Sequence, residues 1–319
     1  MKVIELLNQA IENKTTHFSF ELLPPLRGNS IYKVFKTIDK LKEFDPKYIN
    51  ITAHRDEMVF TESASGVIER KITRKRPGTV AVAAAIKNEY KVTVVPHVIC
   101  SGFLPEETEN ALLDLNFLDI HDVLLLRGDS SSRHEFISSE GEHKYAIDLI
   151  NQVNKINKGE FLDGTHVEPF STPFSFGTAG YPEKHEEAPN LDSDIYWLKK
   201  KVDAGAEYIV TQMFFDNQKF FDFVKKVRDA GITVPVVPGI KPISALSQLT
   251  VLPQIFKTDI PEALAAEVRK CKTNDEVKQV GIEWGIQQGK ELIQHGVPSL
   301  HFYTLMASDC VRDIAKAIY

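Results

Sequence analysis

One arrangement recurs along this chain: a short apolar, β-branched run ends in a polar side chain, and a segment with helical spacing follows. The first run, 16–21, ends in the carboxylate of Glu21 and is stopped by Pro24 and Pro25. Seven further apolar runs are 49–54, 94–100, 123–129, 174–181, 208–212, 236–241 and 300–306. Polar groups gathered at the carboxyl ends of many successive strands are typical of a (β/α)8 barrel, whose active site lies on that face. The pattern therefore predicts an α/β enzyme of this class.

Segments with helical period lie between the runs and alternate with them. They are 30–44, 105–116, 144–156, 191–204, 217–230, 243–252, 261–271 and 274–295. Strand and helix in alternation predict a parallel sheet covered by helices. The stretch 130–173 is the weakest part of the pattern and suggests loops around one helix. No linker divides the chain, so residues 1–319 are predicted to form a single barrel domain.

The helix predicted over 274–295 carries Gly281, Gly285 and Gly289 at four-residue spacing. Polar neighbours exclude a membrane span, and glycine inside a helix costs about 1 kcal/mol unless packing requires it. We therefore expect this helix to pack closely against the barrel or against another subunit.

Composition limits the functional classes. The net charge is 38 − 44 = −6, which leaves no electrostatic footprint for nucleic acid or an anionic membrane. No apolar run approaches the ~18 residues that a membrane span needs. The amino-terminal segment is amphipathic and does not resemble a signal peptide. Three widely spaced cysteines support neither a disulfide framework nor a zinc ribbon, so we expect a cytoplasmic protein.

Glu21 is the first candidate for chemistry. It could be a structural acid paired with an arginine across the barrel mouth, or a catalytic acid. Phe20 and Leu22 point to the other side of the strand, which leaves Glu21 close to apolar surface, an environment that suits a general acid. Its position at the barrel mouth favours the catalytic interpretation.

Other candidate groups suggest different classes. His54, His97 and His185 with Asp129 could form a metal site, but the chain has no His-x-His pair and no metal is expected. Lys241 ends a strand, where a Schiff-base lysine of a barrel aldolase would lie. No G-x-G-x-x-G is present, so any dinucleotide must bind without the Rossmann turn.

Eight motifs, none specific alone, occur in one order from about residue 18 to residue 305. They are FSFELLPP at 18–25, PH at 96–97, LRGD at 126–129, YPEKH at 181–185, KVDAGA at 201–206, TQMFFD at 211–216, PGI at 238–240 and HFYTL at 301–305. This ordered set resembles the methylenetetrahydrofolate reductase family, in its bacterial form with the catalytic domain alone.

The resemblance implies a barrel flavoprotein oxidoreductase that holds FAD noncovalently. NADH or NADPH would reduce the flavin, and the flavin would reduce 5,10-methylenetetrahydrofolate to 5-methyltetrahydrofolate in a ping-pong reaction. The enzyme would serve one-carbon metabolism and methionine biosynthesis, and we expect a homo-oligomer. The alternatives are a barrel lyase that uses Lys241 and a noncatalytic folate-binding or flavin-binding protein.

Site residues are implied position by position. Glu21 would protonate N10 of the folate, and Asp129 would face both flavin and folate. Gln212 and Gln248 would contact folate or nicotinamide. The positions that would hold FAD are Thr52, His54, His97, Arg127, Gly128, Asp129, Tyr181, His185, Asp194 and Lys201.

The chain departs from the family pattern at two places. After Thr52 it has His54 in a segment where one bacterial subgroup has an aromatic residue and small residues. At Ala307 it lacks an arginine that many members carry, which puts the contact to the glutamate tail of folate in doubt. Lys257 is a candidate to replace that charge.

Overall fold

A computed structural model describes residues 1–63, 66–128, 142–304 and 307–319. Asp129 therefore lies outside the described residues. Within them the strands are β1 His17–Leu22, β2 Tyr48–Ile51, β3 Glu57–Glu62, β4 Ile68–Thr73, β5 Thr93–Ile99, β6 Asp122–Leu126, β7 Ser175–Gly180, β8 Tyr208–Thr211, β9 Val236–Val237, β10 Gly239–Ile240 and β11 Ser299–Tyr303.

The helices alternate with these strands, as the sequence predicts. They are α1 Val3–Asn13, α2 Tyr32–Leu41, a 3-10 turn Lys42–Phe44, α3 Thr79–Tyr90, α4 Pro105–Phe117, α5 Ala146–Asn157, α6 Leu191–Asp203, α7 Asn217–Asp229, α8 Gln248–Phe256, α9 Glu262–Lys270, α10 Asn274–Gln294 and α11 Ser308–Ile318. None of these described helices is both long and apolar enough to cross a membrane.

The parallel strands close into a ring through one interrupted strand. β9 pairs with β8, and β10 pairs with β11, which in turn pairs with β1. Only Pro238 separates β9 from β10, and its carbonyl accepts the N–H of His301 at 3.1 Å. Proline has no N–H to donate, so the ladder changes partner at this residue. β9 and β10 together make the seventh strand of eight, and the predicted (β/α)8 barrel is confirmed.

Alternation along each strand separates two environments. On β1, Phe18, Phe20 and Leu22 pack into the main core formed with the surrounding helices. Ser19 instead hydrogen-bonds to Nδ1 of His301 at 3.0 Å inside the barrel. Because side chains alternate with period two, Glu21 shares the inward side with Ser19. The acid therefore lies inside the carboxyl end of the barrel, as its neighbours Phe20 and Leu22 predict.

The opposite end of the barrel is covered by α1. Val3 and Leu7 pack against inward-facing side chains that include Tyr48 and Tyr208. The buried carboxylate of Asp122 accepts the N–H of Val3 at 2.8 Å and fixes the start of the helix. Burial raises the pKa of Asp122 to about 6. The amphipathic pattern of the amino terminus is thus explained by a plug on the face away from the site.

An antiparallel hairpin made of β3 and β4 extends the segment between β2 and α3, on the carboxyl-end face. Val59, Phe60 and Thr61 are residue types that favour strands, but the sequence analysis did not identify the hairpin. Phe60, Val67 and Ile68 are exposed. A strand pair outside the ring is an addition that the βα repeat does not predict.

The glycines of α10 are explained by close packing within the chain. A Cβ at Gly281 would collide with the backbone carbonyl of Ile243, and one at Gly285 would meet Cδ1 of Ile314 on α11. A Cβ at Gly289 would lie 3.0 Å from Cδ1 of Ile318, also on α11. The predicted packing against the barrel is therefore confirmed, without a second subunit.

Gly281→Ala should destabilise the protein by about 1 to 3 kcal/mol, the usual cost of overpacking, because the opposing atom is backbone and cannot rotate away. The matched control is Gly289→Ala on the same helix, where the opposing atom is the mobile end of a side chain. Urea unfolding of the two variants measures the difference. Equal stability of Gly281→Ala and Gly289→Ala would contradict this account of the packing.

Candidate functional site

A cavity of about 280 Å³ opens between the carboxyl ends of β6 and β7 and the helices α5 and α6. Apolar side chains such as Leu125, Ile147 and Trp197 form much of its wall. Five of the residues predicted to hold FAD also line it: Arg127, Tyr181, His185, Asp194 and Lys201. Residues far apart in sequence are brought together here because β6 and β7 are neighbours in the ring.

Arg127 crosses the cavity to Glu187, in the loop after β7. Its Nη1 lies 2.5 Å from Oε2 and its Nη2 lies 2.9 Å from Oε1, a bidentate ion pair. The hydrogen bond and charge of Arg127 lower the pKa of Glu187. Glu187 was not predicted, because nothing in its loop sequence distinguishes it from the adjacent Glu186. Half of its side chain is exposed, so it can leave Arg127 at little cost in packing.

A second cation, Lys201 on α6, lies deeper in the same cavity. Its Nζ donates to the carbonyl of Ala179 at 3.1 Å. Burial lowers its pKa to about 8, against the opposing charge of Asp194. Asp194 accepts the N–H of His185 at 2.9 Å, and the His185 ring lies edge-on to Tyr181 with 4.8 Å between centroids. Two cations, the carboxylate of Asp194 and aromatic rings can bind the phosphate, ribose and base parts of a nucleotide.

Gly128 follows Arg127 and has a φ of +99°, a conformation that L side chains rarely adopt. A Cβ there would lie 3.2 Å from Cβ of Ser101 and 3.3 Å from Cδ1 of Ile99. Only glycine meets both conditions without strain. The backbone conformation and the close neighbours therefore require glycine at this position beside the cavity.

A second group of predicted residues surrounds Glu21 instead of lining the cavity. Oε2 of Glu21 lies 3.6 Å from Nε2 of His97. Burial, together with His301 and His54, lowers the pKa of His97 to about 3. The imidazole is therefore neutral at physiological pH, and this contact is not an ion pair.

Thr52 and His54 lie at the mouth beside this group. Oγ1 of Thr52 is 3.3 Å from the carbonyl of Leu22 and 3.1 Å from Nε2 of His54. The structure thus divides the described positions predicted to hold FAD into the cavity at β6 and β7 and a polar corner at β1, β2 and β5.

The predicted substrate residues Gln212 and Gln248 follow β8 and begin α8, respectively. Oε1 of Gln212 accepts the N–H of Met213 at 2.9 Å, and Oε1 of Gln248 accepts the N–H of Ser244 at 2.7 Å. Both amide oxygens therefore hold their own loops. Their contact with substrate stays a prediction.

Two lysines considered in the sequence have other surroundings. Lys241 is buried, its Nζ donates to the carbonyl of Pro242 at 3.0 Å, and it does not line the cavity. Burial lowers its pKa to about 8, which is compatible with a Schiff-base lysine, but the side chain is separate from the cavity that gathers the other predicted residues. Lys257 lies 4.0 Å from Glu186 and donates to the carbonyl of Gln254.

Glu183, in the loop that carries His185, connects this loop to the segment after α8. Its Oε2 accepts the N–H of Asp259 at 2.8 Å, while Oε1 is buried with no partner among the described residues. Burial, with the nearby charge of Asp259, raises the pKa of Glu183 to about 7. Burial therefore favours the protonated form of Glu183, although the hydrogen bond from Asp259 by itself favours the carboxylate.

Because the pKa of Glu183 is raised by folding, its stabilising effect should be complete below its ordinary value of 4.5 and lost as pH rises through about 7. Wild type should therefore lose thermal stability relative to Glu183→Gln between about pH 5 and about pH 8. Melting temperatures across this range measure the difference. Glu12→Gln, on the exposed side of α1, controls for the loss of one surface charge. A difference that does not vary with pH would contradict the assignment.

A solved structure shares the fold. It is that of an uncharacterized protein from Clostridium thermocellum that binds two copies of 5-methyl-5,6,7,8-tetrahydrofolic acid. The TM-score is 0.58 at 14% identity, and the match covers 98% of both chains. At this identity the likeness supports the barrel architecture alone.

Sequence relatives are closer. The chain is 33% identical over 316 residues to methylenetetrahydrofolate reductase (NADH) 1 of Arabidopsis thaliana, which covers 96% of this chain and 48% of the plant protein. It thus spans about half the length of that relative. It is 29% identical over 317 residues to the 5,10-methylenetetrahydrofolate reductase of Buchnera aphidicola, with 98% and 96% covered. The corresponding Escherichia coli protein is 28% identical over 304 residues.

The family model described as methylenetetrahydrofolate reductase matches residues 6–319, nearly the whole length over which the barrel and its polar mouth are built. The chain therefore belongs to the methylenetetrahydrofolate reductase family.

Proposed function

We propose that this chain uses bound FAD to transfer hydride from NADH or NADPH to 5,10-methylenetetrahydrofolate, giving 5-methyltetrahydrofolate. The observation that carries the proposal is a buried acid, Glu21, at the mouth of a barrel whose neighbouring cavity holds two cations. Named relatives include both an NADH and an NADPH reductase. In this proposal the enzyme serves one-carbon metabolism and methionine biosynthesis in the cytoplasm.

The residues of the cavity fit the flavin nucleotide. Arg127 and Lys201 would hold its phosphates, since a guanidinium can bind phosphate in a bidentate manner. Asp194 would accept hydrogen bonds from ribose hydroxyls, and Gly128 allows close approach of the backbone. The bound flavin would supply the hydride chemistry, by accepting hydride from nicotinamide and passing it to folate in a second, separate step. Thr52, His54 and His97 would help to hold the same group from the polar corner.

Glu21 would supply the proton of the folate reaction. Protonation of N10 weakens its bond to the bridging carbon, and this carbon then becomes the hydride acceptor. A general acid must carry a proton at working pH and must lie within reach of the nitrogen. A carboxyl held inside the barrel end, beside a neutral histidine, satisfies the first requirement better than a solvated one.

Gln212 and Gln248 would orient the two substrates, which would use the same face of the flavin in turn. Asp129 would lie beside flavin and folate. Residues 1–319 would act as one catalytic domain, within a homo-oligomer. These roles extend the family pattern to this chain.

The first expected result concerns FAD itself. Purified protein should be yellow, or should bind added FAD noncovalently. Arg127→Met should weaken binding by about 10- to 100-fold, because it removes a charge-assisted hydrogen bond worth about 1.5 to 3 kcal/mol. Quenching of flavin fluorescence during titration measures the affinity. Lys199→Met is the control, since Lys199 on α6 pairs with Asp203 at the surface. A wild-type protein that takes up no FAD would refute the proposal.

Glu21→Gln should separate the two half-reactions. The amide keeps the size of the carboxyl but cannot protonate N10, so the folate half-reaction should fall by about 10²- to 10⁴-fold. Reduction of the flavin by NADH or NADPH requires no acid and should keep its rate. Stopped-flow absorbance measures each step separately. An equal loss in both steps would assign Glu21 a structural role.

A further inference from the structure

Asn50 is a polar residue within the buried strand β2, and none of the proposed steps uses it. It is the Cα partner of Glu21 in the register of β1 and β2, so both side chains point into the barrel. Asn50 is 1% exposed. Its Nδ2 lies 3.2 Å from Nε2 of His97, and the same Nε2 lies 3.6 Å from Oε2 of Glu21. The three side chains form one buried contact chain across three neighbouring strands.

The chemistry of this chain fixes the histidine tautomer. A neutral imidazole has one N–H and one lone pair, and an amide NH2 can only donate. With the amide nitrogen of Asn50 against it, Nε2 of His97 must be the acceptor, and Nδ1 must carry the proton. The low pKa of His97 excludes a doubly protonated ring at physiological pH.

The oxygen of the Asn50 amide supports a specific role for this side chain. Oδ1 of Asn50 is buried and has no partner among the described residues. An unsatisfied buried acceptor costs about 1 to 3 kcal/mol, so an amide that serves packing alone would be disfavoured here. The hydrogen bond from Nδ2 of Asn50 to Nε2 of His97 is the interaction that distinguishes this amide from an apolar side chain.

The tautomer determines what Glu21 faces. A lone pair on Nε2 repels a carboxylate at 3.6 Å and is compatible with a protonated carboxyl. The opposite tautomer would point an N–H at Glu21, stabilise the carboxylate and remove the proton that the folate reaction needs. The protonation of Nε2 of His97 therefore determines whether this ring favours the acid form or the carboxylate form of Glu21.

Other titratable groups face this corner within the described part of the chain. His54 from the segment after β2 and His301 from β11 both act on His97. Tyr303 from β11 is the Cα partner of Glu21, and it donates to the carbonyl of Thr211 at 2.6 Å. That bond turns its hydroxyl proton away from Glu21.

We propose that Asn50 is a positioning residue for the proton of Glu21: it donates to Nε2 of His97, keeps that nitrogen unprotonated, and so holds Glu21 in its acid form. The inference rests on the proposed reductase function and adds a residue to it.

The first test measures the tautomer directly and requires no turnover. Two-bond proton–nitrogen NMR spectra of protein labelled with ¹⁵N-histidine distinguish the protonated ring nitrogen from the unprotonated one. His97→Gln identifies the His97 signals by their loss. We expect Nδ1 to carry the proton in wild type and the distribution to shift toward Nε2 in Asn50→Leu. A protonated Nε2 in wild type would overturn the proposal.

The second test is the pH profile of the folate half-reaction. In Asn50→Leu the alkaline limb should move to lower pH by about 1 to 2 units, and the rate at pH 7 should fall about 10- to 100-fold. The pH profile of flavin reduction by nicotinamide is the internal reference. Tyr208→Phe is the matched control, because it also removes a polar group from the barrel interior, one whose hydroxyl has no partner among the described residues.

The outcomes separate this inference from the proposed function. Wild type that reduces folate, with an alkaline limb unmoved in Asn50→Leu or moved equally in Tyr208→Phe, overturns the role of Asn50 and leaves the reductase intact. Wild type that fails to reduce folate overturns the reductase and, with it, this role of Asn50. A limb that moves only in Asn50→Leu, together with the tautomer shift, supports both.

Discussion

Closure of the parallel sheet at Pro238 is the constraint on which the rest of the molecule depends. The first half of the seventh strand, β9, pairs with β8, and its second half, β10, pairs with β11. Every strand of the ring therefore has two neighbours. A parallel ring has one face at which all carboxyl ends open. It also has an interior in which alternate side chains meet. The cavity beside β6 and the polar corner at β1, β2 and β5 both follow from these two properties.

The cavity and the polar corner differ in how their ionisable side chains are compensated. In the cavity, the charge of Arg127 is compensated by Glu187, a partly exposed partner that a phosphate would replace in the proposed complex. In the polar corner, burial keeps His97 neutral, so this ring places no positive charge beside Glu21. A partly exposed counter-ion suits a site proposed to bind an anion. A fixed neutral network suits a group that must retain its proton.

Several parts of this arrangement could be predicted from sequence because they depend on local pattern. The eight strands of the ring appear as apolar runs, and the inward direction of Glu21 follows from its neighbours Phe20 and Leu22. The hairpin of β3 and β4 was missed, since it interrupts the repeat on which the other assignments rest. Glu187 was missed because its importance comes from Arg127, 60 residues earlier in the chain. Asn50 carried a usable signal, a single polar residue inside a buried strand.

The sequence by itself determined the order of strands and helices, the polar residues at the strand ends and the family to which the chain belongs. Only the tertiary structure decided which of these polar residues meet. It placed Arg127, Asp194 and Lys201 around one cavity, and it placed His97 against Glu21. The physical reason is that hydrophobic periodicity is encoded within a few residues of each element. Contacts between strands depend instead on the register and closure of the whole ring, which no local segment contains.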